Sequence, residues 1–328
     1  MNDADRAPGI AIRDPKLPGL PRAADGKAMG VALPAPLGLT APIRVRAELL
    51  KHAPGKRAVF AYTLSSDGAQ DLRVVGKLYR NGRGPRAFEL LTALWRAARA
   101  GARGRLELPE PIAYLADLGM VVQRAVEGRP LVCLGEGDDW KAAIAKVAEA
   151  LAALHDLEVP ELPTRTLAEH VRRTCRPDPE ALAEQYPELA PWVQAALEVL
   201  RPGEEPAGPP MGAAHGDLGV SQVFVAGRHA AFVDLDGACL APPALDLARL
   251  IVSFRSSLPH RARRAEAELL ERYSAARPRA SLAGLERYQA LAYLRRACAR
   301  LRRGSGPADI EAARAMLAAA RGLAKEAP

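Results

Sequence analysis

The sequence predicts an α+β protein of two lobes: a first lobe with an antiparallel sheet and one main helix, and a second that is mostly helical. Three observations carry this. Apolar and polar residues alternate in short runs between 43 and 126, which is the period of half-buried strands. One helical stretch, 86–100, interrupts those runs. From Gly128 onward the period changes to that of amphipathic helices and holds, with one exception, to residue 325.

Taken in order, residues 1–40 are rich in Pro, Gly and Ala and hold no sustained period. They are expected to form an N-terminal extension, partly flexible, that packs on the segment after it. Strands begin at Ile43, where Ile43, Val45, Ala47 and Leu49 alternate with Arg44, Arg46 and Glu48. The turn Ala53-Pro54-Gly55-Lys56 joins this run to a second at 57–64, which makes a hairpin. A turn over 65–70 leads to a third strand at 72–79, and a loop at 81–85 to the helix, with Phe88, Leu91 and Trp95 at helical spacing. Two more strands, 111–116 and 120–126, flank a turn at 117–119. The lobe boundary is placed near residues 126–128, so the expected divisions are 1–40, 41–126 and 127–328. In the last of these, Ile144, Val147, Leu151 and Leu154 line one stripe of a helix over 141–154. Shorter helices are expected at 165–175, 179–185 and 190–200, then a Gly/Pro-rich connector at 203–211. Helices at 244–257, 261–276, 284–302 and 307–325 complete the chain.

Composition excludes several classes of function. Of 328 residues, 49% are hydrophobic and 26% charged, the balance of a globular protein with a large core. No apolar run reaches the roughly 18–20 residues of a membrane span, so no membrane role is expected. Asp3, Asp5 and Arg6 stand where a secretory signal would carry its apolar block. Cys133, Cys175, Cys239 and Cys298 are far apart and read as small buried hydrophobes in a reducing, cytoplasmic setting. The net charge of +8 comes with only 5% aromatics and basic residues spread along the chain, so no nucleic-acid platform is expected. Arginine is the default cation, with only eight lysines among 46 basic residues, so a lysine inside a strand asks for a reason.

The exception to the helical pattern holds the chemistry. Ala214-His215-Gly216-Asp217 leads through Gln222 into the apolar triplet Val223-Phe224-Val225, a Gly-containing turn, a return strand and then Asp234-Leu235-Asp236. A hairpin sets the residue before its first strand beside the residue after its second. Gln222 and Asp234 therefore meet at one end, with Asp217 on the loop leading in, and such oxygen donors suit magnesium. A second anchor is Lys77, inside Val74-Val75-Gly76-Lys77-Leu78-Tyr79, with Glu89 twelve residues later on the helix. A lysine held beside a carboxylate can grip phosphate oxygens as a point charge. The turn at 53–56 could close over a nucleotide with its backbone N–H groups. Gly55-Lys56 has Leu50 where a Walker-A loop needs glycine, and Gly82-Arg83-Gly84 stops short of a dinucleotide fingerprint.

The order of strand lysine, helix glutamate, His-Gly-Asp loop, hairpin and aspartate resembles the aminoglycoside phosphotransferase and choline kinase-like family of ATP-dependent small-molecule kinases. The similarity spans about 43–255 and is most specific over 215–246. The residues that carry it are His215-Gly216-Asp217, Gln222, Val233-Asp234-Leu235-Asp236 and Asp246-Leu247-Ala248. Gln222 departs from the usual Asn but keeps the amide oxygen, as in maltokinase-like members. The resemblance implies a bilobal protein-kinase-like fold with a nucleotide-binding 41–126 and a catalytic, substrate-binding 127–328. It also implies ATP and Mg²⁺ as cofactors and a small-molecule hydroxyl as acceptor. Asp217 would take the acceptor's proton, Gln222 and Asp234 would hold Mg²⁺, and Lys77, fixed by Glu89, would bind the α- and β-phosphates. Backbone groups of Gln123 to Ala125 would meet adenine, and His215 and Asp246 would support the loop. Asp236 reads either as a contact to a second metal or as a structural carboxylate. The other class open to this sequence is a non-catalytic, nucleotide-binding scaffold, against which Lys77, Glu89, Asp217 and Asp234 together argue.

Charge leaves the acceptor open. Residues 158–205 hold ten acidic side chains and five arginines, which suits a cation, whereas 246–328 hold seventeen basic and eight acidic, which suits a neutral or anionic sugar.

Overall fold

Alternation builds the first sheet. In the computed structural model, which describes residues 13–40, 43–66, 70–80, 82–102, 104–201 and 211–323, the chain divides into two units. The first comprises 1–96 and 108–127, the second 97–107 and 128–328. Parts of the expected extension (1–12), turn (67–69), loop (Asn81), connector (203–210) and final helix (324–325) lie outside the described residues.

The first unit opens with two short helices, α1 (Leu20–Ala24) and α2 (Gly26–Ala32). Strands β1 (Arg44–Ala53), β2 (Arg57–Ser65) and β3 (Leu72–Tyr79) follow, then the first turns of α3 (Arg83–Gly101). The two-residue β4 (Leu106–Glu107) belongs to the second unit, while β5 (Pro111–Leu115) and β6 (Met120–Arg124) complete the first. Its five strands run antiparallel in the order β1-β2-β3-β6-β5. Along β2 every second residue is buried, namely Ala58, Phe60, Tyr62 and Leu64.

What buries that face is the N-terminal segment, which packs on the strands after it as expected, and in two short helices. Residues 13–40 contribute to the unit's core: Leu17, Leu20, Ala23, Met29 and Leu33 cluster with Phe60, Tyr62, Val74 and Leu78. The Tyr62 hydroxyl donates to the Ala23 carbonyl at 2.8 Å. The helices have five and seven residues, two turns or fewer, so no amphipathic period can build up in the sequence. Gly19 is required by close approach, since a Cβ there would stand 3.0 Å from Leu118 Cα.

The second unit adds β7 (Arg129–Pro130), α4 (Trp140–His155), α5 (Leu167–Thr174), α6 (Pro179–Gln185) and α7 (Ala190–Val199). Four short strands come next, β8 (Gly212–Ala214), β9 (Val223–Val225), β10 (Ala230–Phe232) and β11 (Cys239–Ala241). Helices α8 (Ala244–Ser257), α9 (Ala262–Ala276), α10 (Leu285–Leu301) and α11 (Pro307–Gly322) end it. Its strands form two small sheets, β4-β10-β9-β7 and β11-β8. The apolar faces of α6, α7, α8, α10 and α11 meet in one core that includes Leu182, Val193, Leu245, Leu291 and Leu317.

The role of residues 13–40 has a measurable consequence. Leu20 is fully buried, so Leu20→Ala should destabilise the first unit by about 2–5 kcal/mol. Urea unfolding reads this directly; a shift within about 0.5 kcal/mol is what a loosely attached segment would give.

Candidate functional site

In the first unit, strand register brings two of the expected residues onto one face. Lys77 pairs with Val121 and Gln123 with Val75 across β3 and β6, so both side chains leave the sheet on the same side. Both are buried, at 5% and 6% exposure. The Lys77 ammonium lies 5.6 Å from the centre of the Tyr79 ring. Three details depart from the expected arrangement. Glu89 does not reach inward: its side chain is 65% exposed and pairs with Arg86 at 3.5 Å, because Leu90, Leu91 and Leu94 take the inner face of α3. The Ala125 N–H donates to the Arg73 carbonyl at 3.1 Å. The Gly55 N–H donates to Asp14 at 2.6 Å, so that amide of the hairpin turn is already used by the chain's own N-terminal segment.

In the second unit, the His215–Asp217 loop and the Asp234–Gly237 turn are joined through β8 and β11, where Ala214 pairs with Cys239. Gly216 has φ +74°, and any Cβ there would drive into the Gly237 carbonyl. A Cβ on Gly237 would in turn come within 3.2 Å of Asp217 Cβ and the His215 carbonyl. The two loops are thus stacked backbone on backbone, at a spacing only glycine allows.

Asp246, in the first turn of α8, holds the loop from beneath. Its carboxylate is fully buried and accepts the N–H groups of His215 at 2.6 Å and Gly216 at 2.9 Å. It also lies 3.2 Å from His155 Nε2. Burial pushes the Asp246 carboxyl up, but the hydrogen bonds from His155 and the His215 amide outweigh it and hold it below the usual carboxylate value. With Nε2–H given to Asp246, His155 Nδ1 accepts the Tyr273 hydroxyl at 2.7 Å, and Tyr273 accepts from Arg277 at 2.9 Å. Burial raises the Tyr273 phenol to about 12, which keeps it a donor. His215 is fixed as well: Nε2 donates to the Val233 carbonyl at 3.0 Å and Nδ1 accepts the Asp217 N–H at 3.3 Å. Both ring nitrogens of His215 are therefore engaged within the loop and hairpin. His215 and Asp246 both bond to the backbone of the loop that carries Asp217.

Asp217 itself points away from these supports, with 39% of its side chain exposed. Its Oδ1 is bound by Arg249 of α8 and by Arg295 of α10, the latter at 2.7 Å. Oδ2 has no protein partner among the described residues. Neither arginine is evident from motif reading. Arg249 had one signal, a lone cation in the middle of a helix whose residues 244–254 are otherwise apolar but for Asp246 and Ser253. Arg295 had none, because contact with a residue 78 positions earlier is set by helix packing.

The hairpin forms as the sequence predicts. Phe232 pairs with Val223, and the Val233 N–H donates to the Gln222 carbonyl at 3.0 Å, so Gln222 and Asp234 share one end. Asp234 has φ 67° and ψ 50°, a left-handed conformation that a non-glycine residue adopts at a cost of order 1–3 kcal/mol. Asp236, on the turn beside it, is exposed. Among the described residues no three His, Cys, Asp or Glu side chains gather into a complete metal cage. The Gln222 Oε1 accepts the Ser221 hydroxyl at 3.4 Å, and amide and carboxylate oxygens are the donor types that magnesium takes.

The Asp246 network makes a pH prediction. A carboxyl held below its unfolded value of 3.8 contributes stability that is present above that value and is lost as pH falls through the lower folded value. Asp246→Asn should therefore be less stable at neutral pH, by about 3–5 kcal/mol for a broken buried network, with a shallower loss below pH 4. Thermal melts of both proteins across pH 2.5–7 check this; parallel curves would remove Asp246 from the acid limb.

Comparison with known proteins bears on the fold and the family. The chain resembles in fold a thermostable mutant of aminoglycoside phosphotransferase APH(4)-Ia, solved as a ternary complex with ADP and hygromycin B. The TM-score is 0.64 at 16% identity, over 92% of this chain and all of that one. It also resembles a choline/ethanolamine kinase family protein from Mesorhizobium loti, with TM-score 0.56, 19% identity, and 92% and 94% coverage. A macrolide 2'-phosphotransferase type I gives TM-score 0.54 at 19% identity, over 88% of this chain and 96% of that one. A search of curated protein sequences finds no match. The model of the phosphotransferase enzyme family matches residues 60–291, well over half of the chain, a span that includes Lys77, Asp217, Gln222, Asp234 and Asp246. The mixed fold is the protein-kinase-like one of that family, and the chain belongs to the phosphotransferase enzyme family.

Proposed function

We propose that this phosphotransferase moves the γ-phosphoryl group of ATP, with Mg²⁺, to a hydroxyl of a small molecule such as a sugar, an amino alcohol or an aminoglycoside-like antibiotic. One observation carries the reading. The loop bearing Asp217 is stacked on the turn that follows Asp234, with Asp217 Oδ2 left open for an acceptor. The relative solved with ADP and hygromycin B supports the nucleotide and the class of acceptor.

In this reading Gln222 and Asp234 hold the ion, which supplies charge neutralisation at the phosphates. Lys77, buried on its sheet face, contacts the α- and β-phosphates. Adenine meets the end of β6, where the Ala125 N–H is already given to the Arg73 carbonyl. Asp217 Oδ2 accepts the acceptor's O–H and orients the oxygen toward phosphorus. As the new O–P bond forms and the bond to the β-phosphate oxygen breaks, Asp217 takes the proton and passes it to solvent. Glu89 has no part, being turned to solvent.

Asp234→Ala should weaken ATP binding in the presence of Mg²⁺ at least about 10-fold by calorimetry, with little change when the metal is chelated. Unchanged affinity with metal present would remove Asp234 from the metal site. For Asp217→Asn, turnover per folded enzyme should fall by about 10²–10⁴-fold while ATP affinity stays within a few-fold. The variant should also melt earlier, because Arg249 is left buried without its counter-charge, at about 1–3 kcal/mol. Turnover retained in the folded variant would leave the reaction without its base.

A further inference from the structure

The carboxylate that would serve as base stands in an excess of positive charge. Arg249 is only 4% exposed, and its Nε and Nη1 are buried with no hydrogen-bond partner among the described residues. Arg295 shares the same Oδ1 with a side chain 31% exposed. Arg296, the next residue, has a buried Nε without a partner as well. Burial first, and the Arg295 charge second, hold its guanidinium below ordinary basicity. One carboxylate thus answers two guanidiniums directly.

A buried cation left partly uncompensated is unfavourable, and the deficit is met by whatever negative charge arrives. A cationic acceptor placed at Asp217 would add a further positive charge to this cluster. Arg249 is locked in the core by burial and cannot turn to meet a ligand. Arg295 differs: it is partly exposed, on a long side chain, and its planar fork matches a carboxylate or phosphate bidentately. Because both arginines use Oδ1, an anion taken up by Arg295 leaves Oδ2 free for the hydroxyl.

Resting on the phosphotransferase reading above, we propose that Arg295, backed by Arg249, forms an anion subsite beside Asp217. The acceptor is then a hydroxy compound that carries a carboxylate or phosphate group close to the hydroxyl that is phosphorylated. Asp217 keeps its aim from Arg249, and Arg295 selects the acceptor.

The test is acceptor-dependent ATP consumption by the full chain, across matched triplets that differ in one group. Glucuronate, glucose and glucosamine form one triplet; glycerate, glycerol and serinol form another, with their phosphate esters added. The anionic members should be preferred over their neutral counterparts by about 10- to 100-fold in kcat/KM, the worth of a charge-assisted hydrogen bond. Arg295→Gln should collapse that ratio toward one, mainly through KM, and Arg295→Lys should keep part of it. A purely structural arginine would lower all members alike and leave the ratio unchanged. Preference for cationic or neutral members, an unchanged ratio in Arg295→Gln, or no response from any anionic member overturns the subsite. Brisk turnover of cationic acceptors that depends on Asp217 would sink the subsite alone and leave the phosphotransferase reading standing. Turnover independent of Asp217 would sink that reading instead.

Discussion

The bond between the Asp246 carboxylate and the amides of His215 and Gly216 is the constraint on which the site depends. A buried carboxylate is costly unless its lone pairs are filled, and here they are filled by the loop that carries Asp217 and by His155. That requirement joins α4, α8 and the loop at one point. The left-handed Gly216 then lets the loop press against Gly237, which sets the distance between Asp217 and the turn after Asp234. A side chain at Gly216 would not fit, and an uncharged group at Asp246 would not hold both amides as strongly.

Around Asp217 the electrostatics come from helices distant in sequence. Arg249 rises from α8 one turn after Asp246, so the helix that steadies the loop also neutralises its carboxylate. Arg295 arrives from α10 because α8 and α10 share the apolar core of the second unit. The acidic excess of 158–205 bears on this only weakly, since several of its carboxylates serve local structure. Glu169 closes a capping box with Thr166 at the start of α5. Asp178 caps α6, and Glu198 pairs with Arg201 one turn on. Counting charges along the chain therefore misjudges the site, where three or four side chains decide the sign.

The first unit shows how short elements escape periodic analysis. Leu17, Leu20, Met29 and Leu33 cover a whole sheet face, yet they lie in or beside helices of two turns or fewer, separated by Pro and Gly. The strands they cover were legible because nine or ten residues of alternation are enough to define a face. The same contrast holds for the two-residue strands β4 and β7, whose pairing with β10 and β9 no local pattern announces.

Sequence by itself determined the α+β class, the order of seven of the eleven described strands and nine of the eleven described α-helices, and the hairpin whose end Gln222 and Asp234 share. These follow from local spacing, because a two-strand turn and an amphipathic face are specified by residues within a few positions of each other. It also marked His215, Asp217 and Asp246 through their motif. Tertiary structure alone decided which groups neutralise Asp217, that Glu89 turns to solvent, and which of residues 13–40 enter the core. Each of these depends on how distant elements pack, and a helix's inner face is chosen by the apolar area it buries, not by the charge it carries.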